Sequence, residues 1–260
     1  MKKFLLYAIG CALLAPVAFA ASPWDGTWKL DRNKSHFTGA SYTFSKAADG
    51  KWQFKNGPIT FEFAPDGKPY PVLDADHTII VTLPDEHTMK TVNQFKGKTT
   101  STSVDTLSAD GNTLTDVTTG THEDGSPYTS TQTDTRSGVG EGFAGTWTST
   151  KQSDSTPSTF VISTAADGTA TFIDPTTQFS LTVKLDGTPA AAVAPQMTEG
   201  VTFSYAKTSA TRLDYSIMLK GNKVVAGYME LAKNSKSYQD VSWLVGKESE
   251  KTTAVYSSVE

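Results

Sequence analysis

The sequence predicts an all-β protein built from two tandem antiparallel up-and-down β-barrels, with about eight or nine strands in each. Three observations lead to this fold class: apolar and polar residues alternate with a period of two, Asp-Gly pairs separate the alternating segments, and the chain contains an internal duplication. Beyond the first twenty residues, no apolar pattern has the length and period of a helix. Successive hairpins favour a curled or closed sheet.

The duplication is anchored by a Gly-Thr-Trp motif, which occurs at Gly26-Thr27-Trp28 and 119 residues later at Gly145-Thr146-Trp147. Three further markers recur at nearly the same offset: Ala47-Ala48-Asp49-Gly50 as Ala165-Ala166-Asp167-Gly168, Asp66-Gly67-Lys68-Pro69 as Asp186-Gly187-Thr188-Pro189, and Phe95-Lys96-Gly97-Lys98 as Leu219-Lys220-Gly221-Asn222. So long a period indicates a duplicated domain rather than a solenoid repeat. We predict a first barrel over residues 21–137, a Gly-rich linker over residues 138–142 and a second barrel over residues 143–260.

Within each copy, alternation and turn residues define the strands. In the second copy, Phe179, Leu181, Val183 and Leu185 alternate with polar residues, which is typical of a strand with one buried face. Asp-Gly pairs supply the positive φ angles that tight hairpins need, and they occur at Asp49-Gly50, Asp66-Gly67, Asp110-Gly111 and Asp167-Gly168.

The two copies differ in the predicted character of their interiors. Ser and Thr make up about half of residues 99–135, which predicts a polar wall in the first copy. The second copy is more apolar, so we expect any apolar ligand there, with candidate lining residues Phe179, Leu181, Phe203, Tyr205, Tyr215, Ile217, Met229 and Trp243. The alternative is that these side chains simply fill the barrel.

The N-terminus has the pattern of a secretory signal peptide over residues 1–20. Lys2 and Lys3 precede an apolar run, and Ala18-Phe19-Ala20 forms a small-residue cleavage site. A lipoprotein signal that uses Cys11 is the alternative. Cleavage after Ala20 leaves no cysteine, and therefore neither a disulfide nor a thiol nucleophile. We expect a bacterial protein exported to the periplasm or the extracellular space.

Charge and hydropathy limit the classes of partner. The formal net charge is −4 and becomes −6 when Lys2 and Lys3 are removed, which argues against nucleic acid as a partner. No later apolar stretch approaches the length of about 18 residues that a membrane span requires, so no integral membrane segment is expected after signal removal. The oligomeric state is left open.

The sequence contains no motif that indicates catalysis, a metal or a cofactor. Gly140, Gly142 and Gly145 match G-x-G-x-x-G, but a strand rather than a helix is expected to follow them. His77 and His87 flank one predicted strand near several carboxylates, yet they lack the spacing of a metal site. No nucleophile elbow occurs. We therefore expect no catalytic residue, no metal and no cofactor, although an enzyme is not excluded.

The Gly-x-Trp motif on a first strand, followed late in the chain by Arg, resembles the lipocalin and fatty-acid-binding superfamily. In the first copy the matching residues are Gly26, Trp28 and Arg136; in the second, Gly145 and Trp147 match, and Lys251 is the candidate in place of the missing arginine. The segments "GTWKLDRNKSHF", "DGKPYPV", "LSADGNTLT" and "GTHEDGSPY" are similar to exported bacterial lipocalin-like (calycin-like) domains. The resemblance implies that each Trp closes a barrel under a stacked cation.

Two functions from different classes follow from these patterns. The first is an exported, non-enzymatic protein that binds a small apolar or amphipathic molecule in a barrel cavity, and more specifically in the second barrel. The alternative is a structural or interaction protein of the cell envelope, with filled barrels and no ligand.

Overall fold

The computed structural model describes residues 22–155 and 158–259, so the predicted signal peptide lies outside the described residues. The described residues form nineteen β-strands and no helix, and accordingly no helix that could cross a membrane. The first ten strands are β1 (Gly26–Leu30), β2 (Ser41–Lys46), β3 (Trp52–Asn56), β4 (Ile59–Phe63), β5 (Asp66–Pro71), β6 (His77–Asp85), β7 (Thr88–Phe95), β8 (Lys98–Leu107), β9 (Thr113–Thr121) and β10 (Pro127–Ser137). The remaining strands are β11 (Gly145–Asp154), β12 (Thr159–Thr164), β13 (Thr169–Asp174), β14 (Phe179–Lys184), β15 (Val201–Lys207), β16 (Arg212–Leu219), β17 (Asn222–Leu231), β18 (Ser237–Leu244) and β19 (Thr252–Val259).

The strands form two antiparallel, nearly closed barrel-like sheets, which confirms the predicted fold class. The first barrel has ten strands in the order β4-β3-β2-β11-β10-β9-β8-β7-β6-β5. The second barrel has nine strands in the order β14-β13-β12-β1-β19-β18-β17-β16-β15. Each barrel surrounds its own cluster of buried apolar side chains.

Asp-Gly pairs form the turns of several hairpins. Gly50 has φ of 83° between β2 and β3, and Gly168 has φ of 82° between β12 and β13. In both turns the aspartate before the glycine accepts a hydrogen bond from the backbone N–H two residues ahead. This Asx geometry fixes the turn while glycine supplies the left-handed conformation.

The Asp-Gly-x-Pro repeat has a different role. It lies at the seam of each barrel, where the two edge strands of the sheet approach each other. Asp66 begins β5, and β5 and β4 are the two edges of the first barrel. In the second barrel the segment after Asp186 bridges the edges β14 and β15. Val193 exchanges backbone hydrogen bonds of 2.8 Å with Ser180, and Ala190 exchanges bonds of 2.8 Å with Phe203. The seam of the second barrel is therefore closed by main-chain pairing.

Each Gly-Thr-Trp strand lies in the sheet built mainly by the other copy of the repeat. Trp28 of β1 pairs with Phe160 and Ser258 in the second barrel. Trp147 of β11 pairs with Tyr42 and Arg136 in the first barrel. The chain therefore passes between the barrels twice, once between β1 and β2 and once between β11 and β12.

This sheet membership differs from the division expected at residues 138–142. Those residues join β10 to its neighbour β11, so they form a connection within the first barrel. Duplication explains the difference, because two copies of a domain carry equivalent sheet edges. The local sequence specifies a strand but not which of two equivalent edges the strand joins, as in domain swapping.

The two tryptophans are buried in the same local geometry. Trp28 is 2 % exposed and Trp147 is 0 % exposed. The Trp28 indole N–H donates to the carbonyl of Trp24 at 2.9 Å, and that of Trp147 donates to the carbonyl of Phe143 at 3.0 Å. Both indoles thus satisfy their only polar group within their own segment.

The cation over each indole differs from the expected arrangement. The Arg136 guanidinium lies 4.3 Å from the ring centroid of Trp147, not over Trp28. In the second barrel, Ser258 holds the equivalent position beside Trp28. Lys251 lies over Trp243, 4.8 Å from its ring, and so does not replace the arginine. The second barrel instead places Tyr238 against Trp28, with ring centroids 5.0 Å apart.

Candidate functional site

The second barrel contains a cavity of about 290 Å³ that is partly open to its surroundings. Its lining is mostly aromatic, with two carboxylates and a few aliphatic or hydroxyl side chains. The lining residues are Phe160, Phe172, Asp174, Thr177, Phe179, Phe203, Tyr205, Tyr215, Ile217, Met229, Tyr238, Asp240 and Tyr256.

Strand alternation brings these side chains to the interior. On β15 and β16, Phe203 pairs with Ile217 and Tyr205 pairs with Tyr215, so both pairs face the cavity. The rings of Tyr205 and Tyr215 stack with centroids 5.3 Å apart. A β-carbon at Gly227 would lie 2.5 Å from Cζ of Tyr215, so glycine at this place in β17 lets the Tyr215 ring cross the strand.

One end of the cavity carries the carboxylate of Asp240, from β18. The Tyr215 hydroxyl donates a hydrogen bond of 2.7 Å to Oδ1 of Asp240. Burial raises the pKa of Asp240 to about 6, although the bond from Tyr215 acts in the opposite direction. Asp174 also lines the cavity, and its Oδ1 accepts the backbone N–H of Thr176 at 2.9 Å.

The cavity adjoins a cleft of about 350 Å³ between the two barrels. Thr177 and Phe179 line both spaces. The first barrel contributes His122, Glu123 and Tyr128 to the cleft, and the His122 and Tyr128 rings stack with centroids 4.5 Å apart. The β9–β10 turn of the first barrel therefore forms one wall of the space outside the cavity.

Direct contacts hold that turn against the second barrel. The Gln178 side-chain amide donates to the carbonyl of Glu123 at 3.0 Å, and the amide of Gln196 donates to the Glu123 carboxylate. Elsewhere between the barrels, the Glu199 backbone N–H and the His77 ring both contact the carboxylate of Asp74. Although partial burial acts against them, these hydrogen bonds lower the pKa of Asp74 to about 2.

Six of the eight residues predicted to line a cavity in the second barrel do line it. They are Phe179, Phe203, Tyr205, Tyr215, Ile217 and Met229. Leu181 is instead buried in the apolar core, outside the cavity lining. Trp243 lies on the opposite face of β18, where it lines a separate space of about 130 Å³ that also includes Asn56 of the first barrel.

The sequence pattern of β18 does not reveal Asp240, the polar residue of the site, because both faces of this strand carry aromatic residues. Side chains alternate along a strand, so Tyr238 and Asp240 share one face of β18. Val241 and Trp243 share the opposite face. The pattern of β18 favours the more apolar of its two faces, which carries Val241 and Trp243. The contact of Asp240 with Tyr215, two strands away in the same sheet, identifies the other phase as the inner one.

One part of the interior of the first barrel is polar, as the Ser/Thr content of its strands predicts, and the rest is the apolar cluster around Trp147. Hydroxyl pairs cross the strands, such as Ser103 and Thr118 with oxygens 2.7 Å apart. Burial, followed by repulsion from Asp116 and Asp134, raises the pKa of Asp105 to about 8. Asp134 accepts hydrogen bonds from Tyr42 at 2.6 Å and from a side-chain amide of its own strand.

The other candidate motifs do not assemble into a site. His77 begins β6 and His87 follows its end, so the two histidines lie at opposite ends of one strand. Among the described residues, no group of three or more His, Cys, Asp or Glu side chains is placed to hold a metal ion. Gly145 opens strand β11 rather than a helix, which removes the geometry that a dinucleotide requires.

Comparison with known proteins adds no family assignment: the chain matches no protein-family model, and no curated protein matches it significantly.

Proposed function

We propose that this chain is an exported, non-enzymatic, lipocalin-like protein that binds a small apolar or amphipathic molecule in the cavity of its second barrel. The observation that carries the proposal is the aromatic cavity of about 290 Å³ inside that barrel. This volume is near the lower end of the range of about 300 to 1,000 Å³ that small-molecule sites occupy. Export remains a prediction from the N-terminal sequence.

Aromatic rings suit the cavity to a ligand with a flat or compact apolar body. Phe172 stacks on Tyr205 with centroids 4.7 Å apart, and Phe179 meets Phe203 edge to face at 5.5 Å. These contacts hold the rings in place, so little side-chain entropy is lost when a ligand binds. Rings that are already ordered by one another form a preorganised apolar surface.

The cleft between the barrels supplies the route of entry in this proposal. Phe179 borders both the cavity and the cleft, so a rotation of its ring changes the opening between them. The first barrel then contributes to binding through the turn that carries Glu123, which contacts the second barrel beside that opening.

The test is binding of a neutral lipophilic fluorescent probe, N-phenyl-1-naphthylamine, to the wild-type protein and to Ile217→Trp. Ile217 lines the cavity, so an indole at this position fills the space that the ligand needs. We expect probe fluorescence to rise to saturation with the wild-type protein. The apparent affinity of the variant for the probe should be at least tenfold lower.

Ile173→Trp is the matched control, because Ile173 belongs to the same barrel but is 38 % exposed on its outer face. This control should bind the probe as the wild type does. Equal binding by Ile217→Trp and the wild type would place the probe elsewhere, and absence of binding by all three proteins would favour filled barrels without a ligand.

A further inference from the structure

Asp240 is a carboxylate inside the second barrel without a cationic partner. None of the ion pairs formed between described residues involves Asp240. Its Oδ1 accepts the Tyr215 hydroxyl at 2.7 Å, and no hydrogen bond from a described residue reaches its Oδ2. Asp240 is partly buried, and charges that lose much of their hydration in proteins are normally paired, because removal from water is costly. The cavity therefore contains an anionic group whose counter-charge the chain does not supply.

The surroundings of Asp240 suit a cation as well as an apolar body. Tyr205, Tyr215, Tyr238 and Tyr256 line the same cavity and present their ring faces or edges to it. An ammonium group is attracted to the face of an aromatic ring within about 6 Å, more strongly where water is excluded. Asp174 is the second carboxylate of the lining. Among the lining residues, no lysine, arginine or histidine occurs to repel a cation.

We propose that the ligand is a small organic ammonium compound with an aromatic or aliphatic body. Its ammonium group contacts the free oxygen of Asp240, and its body lies against the rings of Phe172, Phe203 and Tyr205. This inference rests on the proposed function, since it names the chemical class that the cavity of the second barrel takes. A primary amine suits the site because its N–H groups can donate to Oδ2 while Tyr215 keeps Oδ1 occupied.

The proposal predicts that binding depends on pH. Several ionisable groups face Asp240: Tyr205 from β15, Tyr215 from β16, Tyr238 from β18, Tyr256 from β19 and Asp174 from β13. Burial raises the pKa of each of these four tyrosines, so the phenols stay neutral near pH 7. Asp240, with a pKa of about 6, then controls the response between pH 5 and pH 7.5. Protonation at pH 5 should weaken ammonium binding about tenfold.

The experiment measures displacement of N-phenyl-1-naphthylamine by two compounds of equal size, 2-phenylethylamine, which is cationic, and propylbenzene, which is neutral. We expect the amine to displace the probe at a concentration at least tenfold lower than propylbenzene at pH 7.5. At pH 5 this preference should shrink about tenfold. In Asp240→Asn the ratio of the two concentrations should approach one, whereas the exposed-carboxyl control Asp76→Asn should keep the wild-type ratio. Circular dichroism verifies the fold of each variant.

The outcomes separate this inference from the proposed function. If the probe binds and propylbenzene displaces it as well as the amine does, the ammonium inference is overturned while the binding function stands. If the probe does not bind, the proposed function fails. If the amine preference survives in Asp240→Asn but disappears in Asp105→Asn, the cation binds in the first barrel and the assignment to Asp240 is wrong. The pH response of the wild type tests the inference independently of any variant.

Discussion

At the residue scale, Arg136 determines how the first barrel is closed. Its guanidinium covers the Trp147 ring, and its Nε donates to the carbonyl of Gly111 at 2.7 Å. It also donates to the carbonyls of Gly142 and Ala144 in the connection to β11. One side chain thus satisfies three main-chain acceptors and screens the indole from water.

We predict that Arg136→Met lowers the free energy of unfolding of the first barrel by about 2 to 3 kcal/mol. The change removes a cation–π contact worth about 0.5 to 2 kcal/mol and takes the arginine donors away from three part-buried carbonyls. Urea unfolding monitored by tryptophan fluorescence measures this loss in the free energy of unfolding. Arg212→Met is the control: Arg212 lies 3.8 Å over Tyr228 but forms surface ion pairs, so its loss should cost less than about 1 kcal/mol. Equal losses for the two variants would contradict a specific role for Arg136.

Asp105 gives a second prediction at this scale, in the pH dependence of stability. Its pKa in the folded protein is about 8, above the value of about 4 of an unfolded aspartate. The folded state therefore binds the proton more tightly, so stability is highest at acidic pH and is lost as the pH rises toward 8. The loss begins near pH 4 and amounts to about 1.4 kcal/mol for each pH unit up to the folded pKa. Asp105→Asn, which removes this titration, should therefore raise the free energy of unfolding by about 1 to 2 kcal/mol at pH 5 and by several kcal/mol more at pH 8.5.

Urea unfolding at pH 5, 7 and 8.5 tests this prediction, with Glu62→Gln on the exposed face of β4 as the control. An Asp105→Asn variant that is less stable than the wild type at every pH would contradict the assignment. It would show that the ionised carboxylate makes favourable contacts within the barrel.

Site residues were predictable from sequence only where alternation was unambiguous. In β15 and β16 apolar residues occupy every second position, and Phe203, Tyr205, Tyr215 and Ile217 all lie along the cavity. In β18 one face carries Tyr238 and Asp240, and the other carries Val241 and Trp243. Each face therefore has one aromatic residue. Contacts between strands, such as that of Asp240 with Tyr215, decide between the two faces, and they depend on the register of the sheet.

At the element scale, the main finding is the exchange of strands β1 and β11 between the barrels. The repeat predicts two equivalent first strands, and both occur. The hairpin turns at Asp49 and Asp167 also lie where the sequence places them. The sheet that each first strand joins was not predictable, because the edges of the two copies are equivalent and the choice depends on connections and packing between barrels.

The exchange predicts which strands lose protection when each tryptophan is altered. Trp28→Phe should speed amide hydrogen exchange in β12 and β19, its neighbours in the second barrel, and leave β2 and β10 protected. Trp147→Phe should speed exchange in β2 and β10 and leave β12 and β19 protected. Each change removes an indole N–H bond and some buried volume, for a cost of about 1 to 3 kcal/mol.

Hydrogen exchange with mass spectrometry of peptides from these strands provides the measurement, and each variant serves as the control for the other. If Trp28→Phe loosened β2 and β10 instead, each Gly-Thr-Trp strand would belong to its own copy of the repeat, and the exchanged topology would be refuted.

At the scale of the whole molecule, the duplication has produced two barrels with different interiors. The first combines an aromatic cluster with hydroxyl pairs and three buried or partly buried aspartates, whereas the second has aromatic rings around a cavity. The position of Asp240 in β18 corresponds to that of Asp116 in β9, since each lies two residues after the residue paired with Leu231 or Leu107. One inherited carboxylate therefore faces other carboxylates in one barrel and a ligand-sized space in the other.

The connections between the barrels make the molecule more than a pair of independent domains. Strand β1 ties the N-terminal segment to the second barrel, and the turn at Glu123 contacts the second barrel beside its cavity. In the proposed function, the first barrel forms part of the entrance while the second holds the ligand. The two barrels would then contribute different parts of one binding site.

Native mass spectrometry of the protein purified from its own source tests ligand binding in the second barrel most directly. We predict a fraction of molecules heavier than the chain by the mass of one small organic compound, and release of that compound as a cation. The same fraction should be absent from Ile217→Trp and present in Ile173→Trp. Identical spectra for the wild type and Ile217→Trp, with only the mass of the chain, would contradict the binding function.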